Sequence, residues 1–339
     1  MKGIVCEQAG SFRLVHDLPE PAVVPGHAIV RVKRIGICGT DYHAFQGNQP
    51  FFSYPRILGH ELSGIVEKVE ENAEGIVEGD LVSVIPYMHC GACLACRSGR
   101  TNCCKEMRVL GVHVDGGMRE LISVPTTHLL KANGLSLDEA ALVEPLAIGA
   151  HAVRRANVSA EHTVLVIGSG PIGLGVMAFA KHAGATVIAM DINEERLAFC
   201  QAWAKADHTI DARASDARQQ LEALTNGDYP AIVFDATGNA ASMTKAFDYA
   251  AHGGTLVYVG LVKGEITFSD PEFHKRELTL MGSRNATADD CRHVIDVIGR
   301  RTFDLGLYIT HRAAFEDTIA AFNGWLKPES RVIKAIVEL

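Results

Sequence analysis

An apolar, β-branched run, Thr163-Val164-Leu165-Val166-Ile167, leads straight into Gly168-Ser169-Gly170-Pro171-Ile172-Gly173, and an apolar segment of helical character follows. A strand, a glycine turn and a helix in this succession admit few folds. Gly168 permits a tight turn, Gly170 leaves the backbone open to an approaching pyrophosphate, and Gly173 lets the helix pack closely on the strand. The helix N-terminus, with Pro171 and Ile172 in its first turn, offers unpaired N–H groups and the positive end of its dipole to phosphates. About twenty residues on, after the strand-like run 186–190, stands Asp191, an acceptor for adenosine ribose hydroxyls whose charge repels a 2′-phosphate. Ile192 beside it is not basic, so NAD is expected over NADP. Arg196, one helical turn further, has two readings: a solvated helix surface, or a contact with the cofactor.

The same rhythm continues past the fingerprint. Residues 171–183 and 194–204 read as helices, 231–235 as a strand, 241–250 as a helix and 255–259 as a strand. Buried strands alternating with helices imply a parallel sheet covered on both faces, a doubly wound domain. The first 150 residues differ. Short strand-like runs at 2–6, 27–35, 64–69, 81–85 and 119–124, punctuated by Gly and Pro, predict an irregular, barrel-like β domain. From about Asp289 a helix-rich tail ends in the strand-like run 331–337 and can return to the first domain. The expected α/β chain therefore has a β-rich catalytic domain over 1–150, a dinucleotide domain over 151–287 and a C-terminal segment over 288–339. A length of 339 residues suits two such cores.

The N-terminus meets Glu7 before any long apolar stretch, so no secretory signal is read and a cytoplasmic location is expected. Nine cysteines in that setting point to metal or reactive thiols rather than disulfides. Cys90, Cys93, Cys96 and Cys104 are spaced so that one loop, about residues 88–106, can wrap four thiolates around a zinc ion. With every position filled by cysteine, such a site is structural. Cys103 adjoins Cys104, and spacing alone leaves the fourth ligand open between them.

A second metal site is expected from Cys38, His60 and a carboxylate, a donor set that holds Zn²⁺ and keeps a position for substrate. Glu61 follows His60 directly, and Glu144 sits in Leu142-Val143-Glu144-Pro145-Leu146; the residues leave open which of them is the ligand. Asp41 is the expected partner of the His60 ring N–H, with loop capping as its alternative role. Zinc there would act as a Lewis acid on an alcohol whose hydride passes to nicotinamide. Thr40 and His43 are the right types for a hydroxyl-to-imidazole relay that takes the proton to solvent.

The formal net charge of −8, without a basic run, argues against nucleic acid or an anionic membrane as partner. Residues 163–180 form the one apolar run long enough to raise a membrane span, and Gly168, Gly170, Pro171 and Gly173 interrupt it. The expected partner is a small molecule.

Taken together, these motifs resemble the zinc-dependent medium-chain dehydrogenases, the zinc-containing alcohol dehydrogenase family, over essentially the whole chain. The resemblance is carried by Gly36-Ile37-Cys38-Gly39-Thr40-Asp41, Gly59-His60-Glu61, the four-cysteine lobe, Asp115-Gly116-Gly117 and Gly168 to Gly173. It implies a GroES-like catalytic domain, a Rossmann NAD-binding domain, an active site in the cleft between them, and a homodimer or homotetramer. It also spaces the fourth lobe ligand at Cys104. Glu61 and Glu144 look like the sorbitol and threonine dehydrogenase branch. Tyr54-Pro55-Arg56-Ile57-Leu58-Gly59-His60-Glu61 and Leu110-Gly111-Val112-His113-Val114-Asp115-Gly116-Gly117 look most like the enzymes that oxidise sugar acids such as L-galactonate, L-gulonate or L-idonate at C5. Met118 stands where many relatives carry an aromatic residue, and Ser169 where alanine is frequent.

An anionic substrate also has a physical candidate. Ser283-Arg284-Asn285 follows the strand-like run 278–281, and the Arg284 guanidinium can bind a carboxylate bidentately, with Asn285 beside it. Its alternative is a contact with cofactor or another subunit; Arg56 and Lys334 are further candidates. The expected activity is NAD-dependent oxidation of a secondary alcohol on a sugar acid or polyol, with a threonine or vicinal-diol dehydrogenase as the nearest alternative. A non-catalytic NAD-binding regulator would have lost the second metal site, and here its residues are intact.

Overall fold

The computed structural model describes residues 1–48 and 52–339. The chain divides into two compact units, Met1–Pro145 with Thr287–Leu339, and Leu146–Ala286. The divisions fall at 145/146 and 286/287 rather than at 150/151 and 287/288. The first lies inside the helix Val143–Arg155, where no loop punctuates the change.

In the first unit the long strand His27–Ile37 is the spine. It pairs antiparallel with Glu61–Val69 along its length, with Leu121–Pro125 over its first half and with Lys334–Glu338 over its second. Glu61–Val69 continues to Leu81–Val84 and then to Leu129–Lys131, while Ile309–Ala314 lies parallel to Lys334–Glu338 at the far side. The strand is buried at Ala28, Val30, Val32, Ile35 and Ile37, which pack with Leu62, Val66, Ile122, Val124, Phe322 and Val337. Such packing along both of its halves is why the C-terminal segment returns. That tail contains the helices Ala288–Gly299 and Thr318–Trp325, as its apolar spacing suggests, but also the strand Ile309–Ala314, which the sequence reading leaves out. Every second residue of that strand is exposed, so it carries no apolar run.

The second unit holds a six-stranded parallel sheet in the order His208–Asp211, Thr186–Asp191, Thr163–Ile167, Ile232–Asp235, Thr255–Tyr258, Thr279–Gly282. The direction of chain progress reverses between Thr163–Ile167 and Ile232–Asp235, the switch point of a doubly wound sheet. Two expected helices are shorter than read. Glu194–Phe199 passes into a π turn over Cys200–Ala204, and Ala240–Lys245 into a 3₁₀ turn over Ala246–Tyr249. Both keep a buried face through the change, so periodicity alone runs the two parts together. No helix among the described residues is long and apolar enough to cross a membrane.

Candidate active site

Cys38 ends the spine strand and caps the helix Gly39–Phe45, its N–H donating to Asp41 Oδ2 at 2.8 Å. A carboxylate at the third helical position reaching back to the cap is the local reason the chain turns there. The register Gly36↔Glu61 then sets the start of the next strand alongside. Gly36 is without a side chain where Glu61 needs the room, since a Cβ would lie 2.1 Å from Glu61 Oε2. Cys38, His60 and Glu61 thus bring one ligand atom each within 4.8 Å of one another. His60 and Glu61 are buried and Cys38 is partly exposed.

The partner of Glu61 is Lys334, at the start of the strand paired to Ile37. Its Nζ donates to Glu61 Oε1 at 2.7 Å and Oε2 at 2.8 Å, and to the Ile37 carbonyl at 3.2 Å. Both side chains are about 99% buried. Burial opposes charge on Lys334, but Glu61 outweighs it and raises the ammonium pKa. Lys334 is therefore committed to Glu61, which corrects its reading as a substrate-carboxylate binder.

His60 Nδ1 lies 3.7 Å from Asp41 Oδ1, beyond hydrogen-bond reach, and has no hydrogen-bond partner among the described residues. Asp41 spends its oxygens on the N–H groups of Cys38 and, at 3.4 Å, Gly59. Burial opposes a charged His60, yet Asp41, Cys38 and Glu144 overcome it and lift its pKa well above the ordinary imidazole value. A thiol, an imidazole and a carboxylate gathered this closely are the donor types that a divalent cation takes up. Glu144, also buried, stands outside the three-residue group. One oxygen accepts from Tyr87 Oη, the other is unpaired among the described residues, and burial pushes its pKa up to about 7. Thr40 is half-buried and His43 exposed, three residues apart in the same helix and hence on one face of it.

The cysteine lobe hangs from a two-stranded neck, Tyr87–Met88 against Arg108–Val109. Sγ separations are 3.5 Å for Cys93–Cys96, 3.5 Å for Cys90–Cys104 and 4.0 Å for Cys93–Cys104. These are far beyond a disulfide bond. They bracket the edge of about 3.8 Å that a tetrahedron with Zn–S bonds of about 2.3 Å requires. Backbone N–H groups of Cys90, Cys93 and Glu106 point at the sulfurs. Backbone N–H groups of Cys96 and Lys105 do the same for Cys93 and draw its thiol down to about 6, which favours thiolate. Cys103 is exposed and outside the group, leaving Cys104 as the fourth member.

In the second unit the fingerprint turn sits at the switch point. Gly168 has φ +96°, and a Cβ on Gly173 would lie 1.8 Å from the Gly168 carbonyl oxygen. A Cβ on Gly170 would instead point into open space, which is the cradle a pyrophosphate would fill. Gly170 caps the helix Pro171–His182, and Ile172 lies in its first turn. Asp191, at the end of its strand, accepts from Ser169 N at 2.5 Å and from Asn193 N at 2.9 Å, so its carboxylate is held at the rim of the turn. Ile192 is 63% exposed and Arg196 half-buried. These residues fit a dinucleotide.

Residues 24–134 match the family described as alcohol dehydrogenase GroES-like domain, and residues 171–311 the family described as zinc-binding dehydrogenase. The chain is 45% identical to L-galactonate-5-dehydrogenase of Escherichia coli strain K12 over 99% of its own length and 98% of the relative's. The chain belongs to the zinc-binding dehydrogenase family. It is 33% identical to L-idonate 5-dehydrogenase of Vitis vinifera over 89% of the chain and 86% of that protein. The crystal structure of an alcohol dehydrogenase, rspB, from Escherichia coli CFT073 complexed with NADH superimposes with a TM-score of 0.92. That match has 28% identity and covers 100% of this chain and 99% of the other.

The remaining sequence candidates of this dehydrogenase fall as follows. Arg284 is exposed just beyond the strand Thr279–Gly282. Asn285 has φ +53° and a buried Nδ2 without a partner among the described residues, as does the Oγ of buried Ser283. Arg56 is paired with Asp115 at 3.2 Å and donates to Ser53 Oγ at 3.0 Å. The pairing of Lys334 with Glu61, and of Tyr87 with Glu144, is what the residues alone do not reveal. The one signal is a lysine inside an otherwise apolar strand and a tyrosine just ahead of the lobe.

Proposed function

We propose that this dehydrogenase oxidises a secondary alcohol of a sugar acid or polyol, L-galactonate-like at C5, to the ketone with NAD⁺ as hydride acceptor. The observation that carries the reading is the end-to-end 45% match to the Escherichia coli L-galactonate enzyme, with Cys38, His60 and Glu61 intact and gathered. In this reading Cys38, His60 and Glu61 hold the catalytic zinc, Glu144 stands behind them, and Cys90, Cys93, Cys96 and Cys104 hold a structural zinc. When bound, the catalytic ion supplies Lewis acidity toward the substrate hydroxyl. Thr40 would accept the proton of that hydroxyl while passing its own to His43, and His43 would hand it to solvent; NAD⁺, when bound, would supply the hydride acceptor. Gly168, Gly170, Pro171, Ile172 and Gly173 bind the pyrophosphate, Asp191 the adenosine ribose, and Ile192 and Arg196 flank that end. Arg284 with Asn285 receives the substrate carboxylate. The enzyme works in the cytoplasm as a homodimer or homotetramer.

The test is NADH formation with purified protein on hexonates, hexitols, L-threonine, vicinal diols and simple alcohols, followed by product identification. L-Galactonate or a C5-related hexonate is expected to give the highest kcat/KM. Faster turnover of threonine would replace the reading, and no turnover of any alcohol by protein carrying two zinc ions per chain would favour a regulator.

A further inference from the structure

Glu144 is held by one oxygen only. Oε1 accepts from Tyr87 Oη, whereas the buried Oε2 has no partner among the described residues. Tyr87 and Glu144 are 4% and 3% exposed, so bulk water cannot substitute for that bond. Burial, together with Glu144, pushes the Tyr87 hydroxyl well above its ordinary pKa, so it remains a donor. Glu144 and His60 interact electrostatically, so the cluster is within reach of how this carboxylate is set.

What sets Tyr87 is the neck of the zinc lobe. It begins the strand Tyr87–Met88, which pairs with Arg108–Val109, and it stands three residues before Cys90. Its carbonyl oxygen accepts from His128 Nε2 at 3.3 Å. The backbone is thus tied on two sides, and the ring reaches from the neck to Glu144.

We infer that Tyr87 is a positioning residue for the catalytic metal centre: its hydroxyl occupies Glu144 Oε1, fixes the carboxylate plane and leaves Oε2 as the single oxygen available to the centre. This rests on the reading that Cys38, His60 and Glu61 hold a metal ion. Without the hydroxyl the buried carboxylate is free to turn and to present either oxygen. A ligand's supporting hydrogen bonds tune a metal site strongly, and their loss changes metal affinity by about 10–100-fold.

The test uses full-length protein with zinc kept in the cysteine lobe and Co²⁺ placed in the second site. Tyr87→Phe keeps the ring and deletes one donor. The expected result is a shifted visible d–d spectrum per bound cobalt and a roughly tenfold or greater acceleration of cobalt loss to a chelator. In a Glu144→Ala background, adding Tyr87→Phe should change neither readout further, because the tyrosine acts through that carboxylate. Normalising to bound cobalt keeps any loss of folded protein out of the comparison. Identical spectra and release rates in wild type and Tyr87→Phe would overturn the inference, as would a full shift that persists without Glu144. If wild type takes up no cobalt, or Cys38→Ser takes it up equally, the metal reading itself fails and the tyrosine role falls with it.

Discussion

Glu61 and Lys334 form a salt bridge closed to solvent, and a buried pair is most informative when one partner is removed. Lys334→Met would leave Glu61 charged and uncompensated beside Asp41 and Glu144. The expected cost is about 3–5 kcal/mol in urea unfolding. Unchanged stability would show that Glu61 does not depend on Lys334 for its charge balance and that Lys334 is a bystander. The pair also marks the limit of what residues alone reveal. Cys90, Cys93, Cys96 and Cys104 are readable because their geometry is local, fixed by a loop of a few residues. Glu61 and Lys334 are separated by 273 positions, and Tyr87 and Glu144 by 57. No local pattern encodes such a meeting; only the pairing of the strand after Ile333 with the end of the spine strand creates it.

The neck of the lobe is a short element that depends on its neighbours, and His128 in the one-turn helix Thr126–His128 is one of them. Because the Tyr87 carbonyl can only accept, Nε2 carries the proton, and Nδ1 accepts from Thr127 Oγ1 at 3.0 Å. Burial, with His89 nearby, lowers the His128 pKa from 6.5 to about 4. Between those values the unfolded chain binds a proton that the folded chain excludes, so stability falls as pH falls through this window. The loss from this residue is on the order of 3 kcal/mol by pH 4. His128→Gln, which keeps a donor for the carbonyl, should flatten that part of the stability-against-pH curve in urea titrations. An unaltered slope would mean the imidazole is already protonated in the native state. Elements were legible wherever a face is continuously apolar, as in Thr163–Ile167, or where glycine punctuates, as at Gly168. They were not legible where tertiary pairing makes the strand. Tyr87–Met88 and Arg108–Val109 are two residues each, and Ile309–Ala314 is half exposed.

At the scale of the whole molecule the two units differ in how the chain builds them. The dinucleotide unit is continuous, Leu146–Ala286, and owns all six strands of its sheet. The other is completed only by Thr287–Leu339, whose strand Lys334–Glu338 covers the second half of the spine strand and buries Ala335, Ile336 and Val337 completely. Losing two large side chains of that kind forfeits about 1.5–3 kcal/mol each, before the unpaired ladder and the orphaned Glu61 are counted. Against a total stability of about 5–15 kcal/mol, the remainder should not persist as a folded body. A fragment of residues 146–286 is therefore expected to melt cooperatively by circular dichroism and to bind NADH in calorimetry. A chain ending at residue 286 is expected to retain that NADH binding while losing the metal site proposed at Cys38 and His60 and the cooperative melting of its first 145 residues. Metal retention at that site by the shortened chain would show that the spine strand holds its register without Lys334–Glu338. The return of the C-terminus would then be ornament to the site rather than part of its construction.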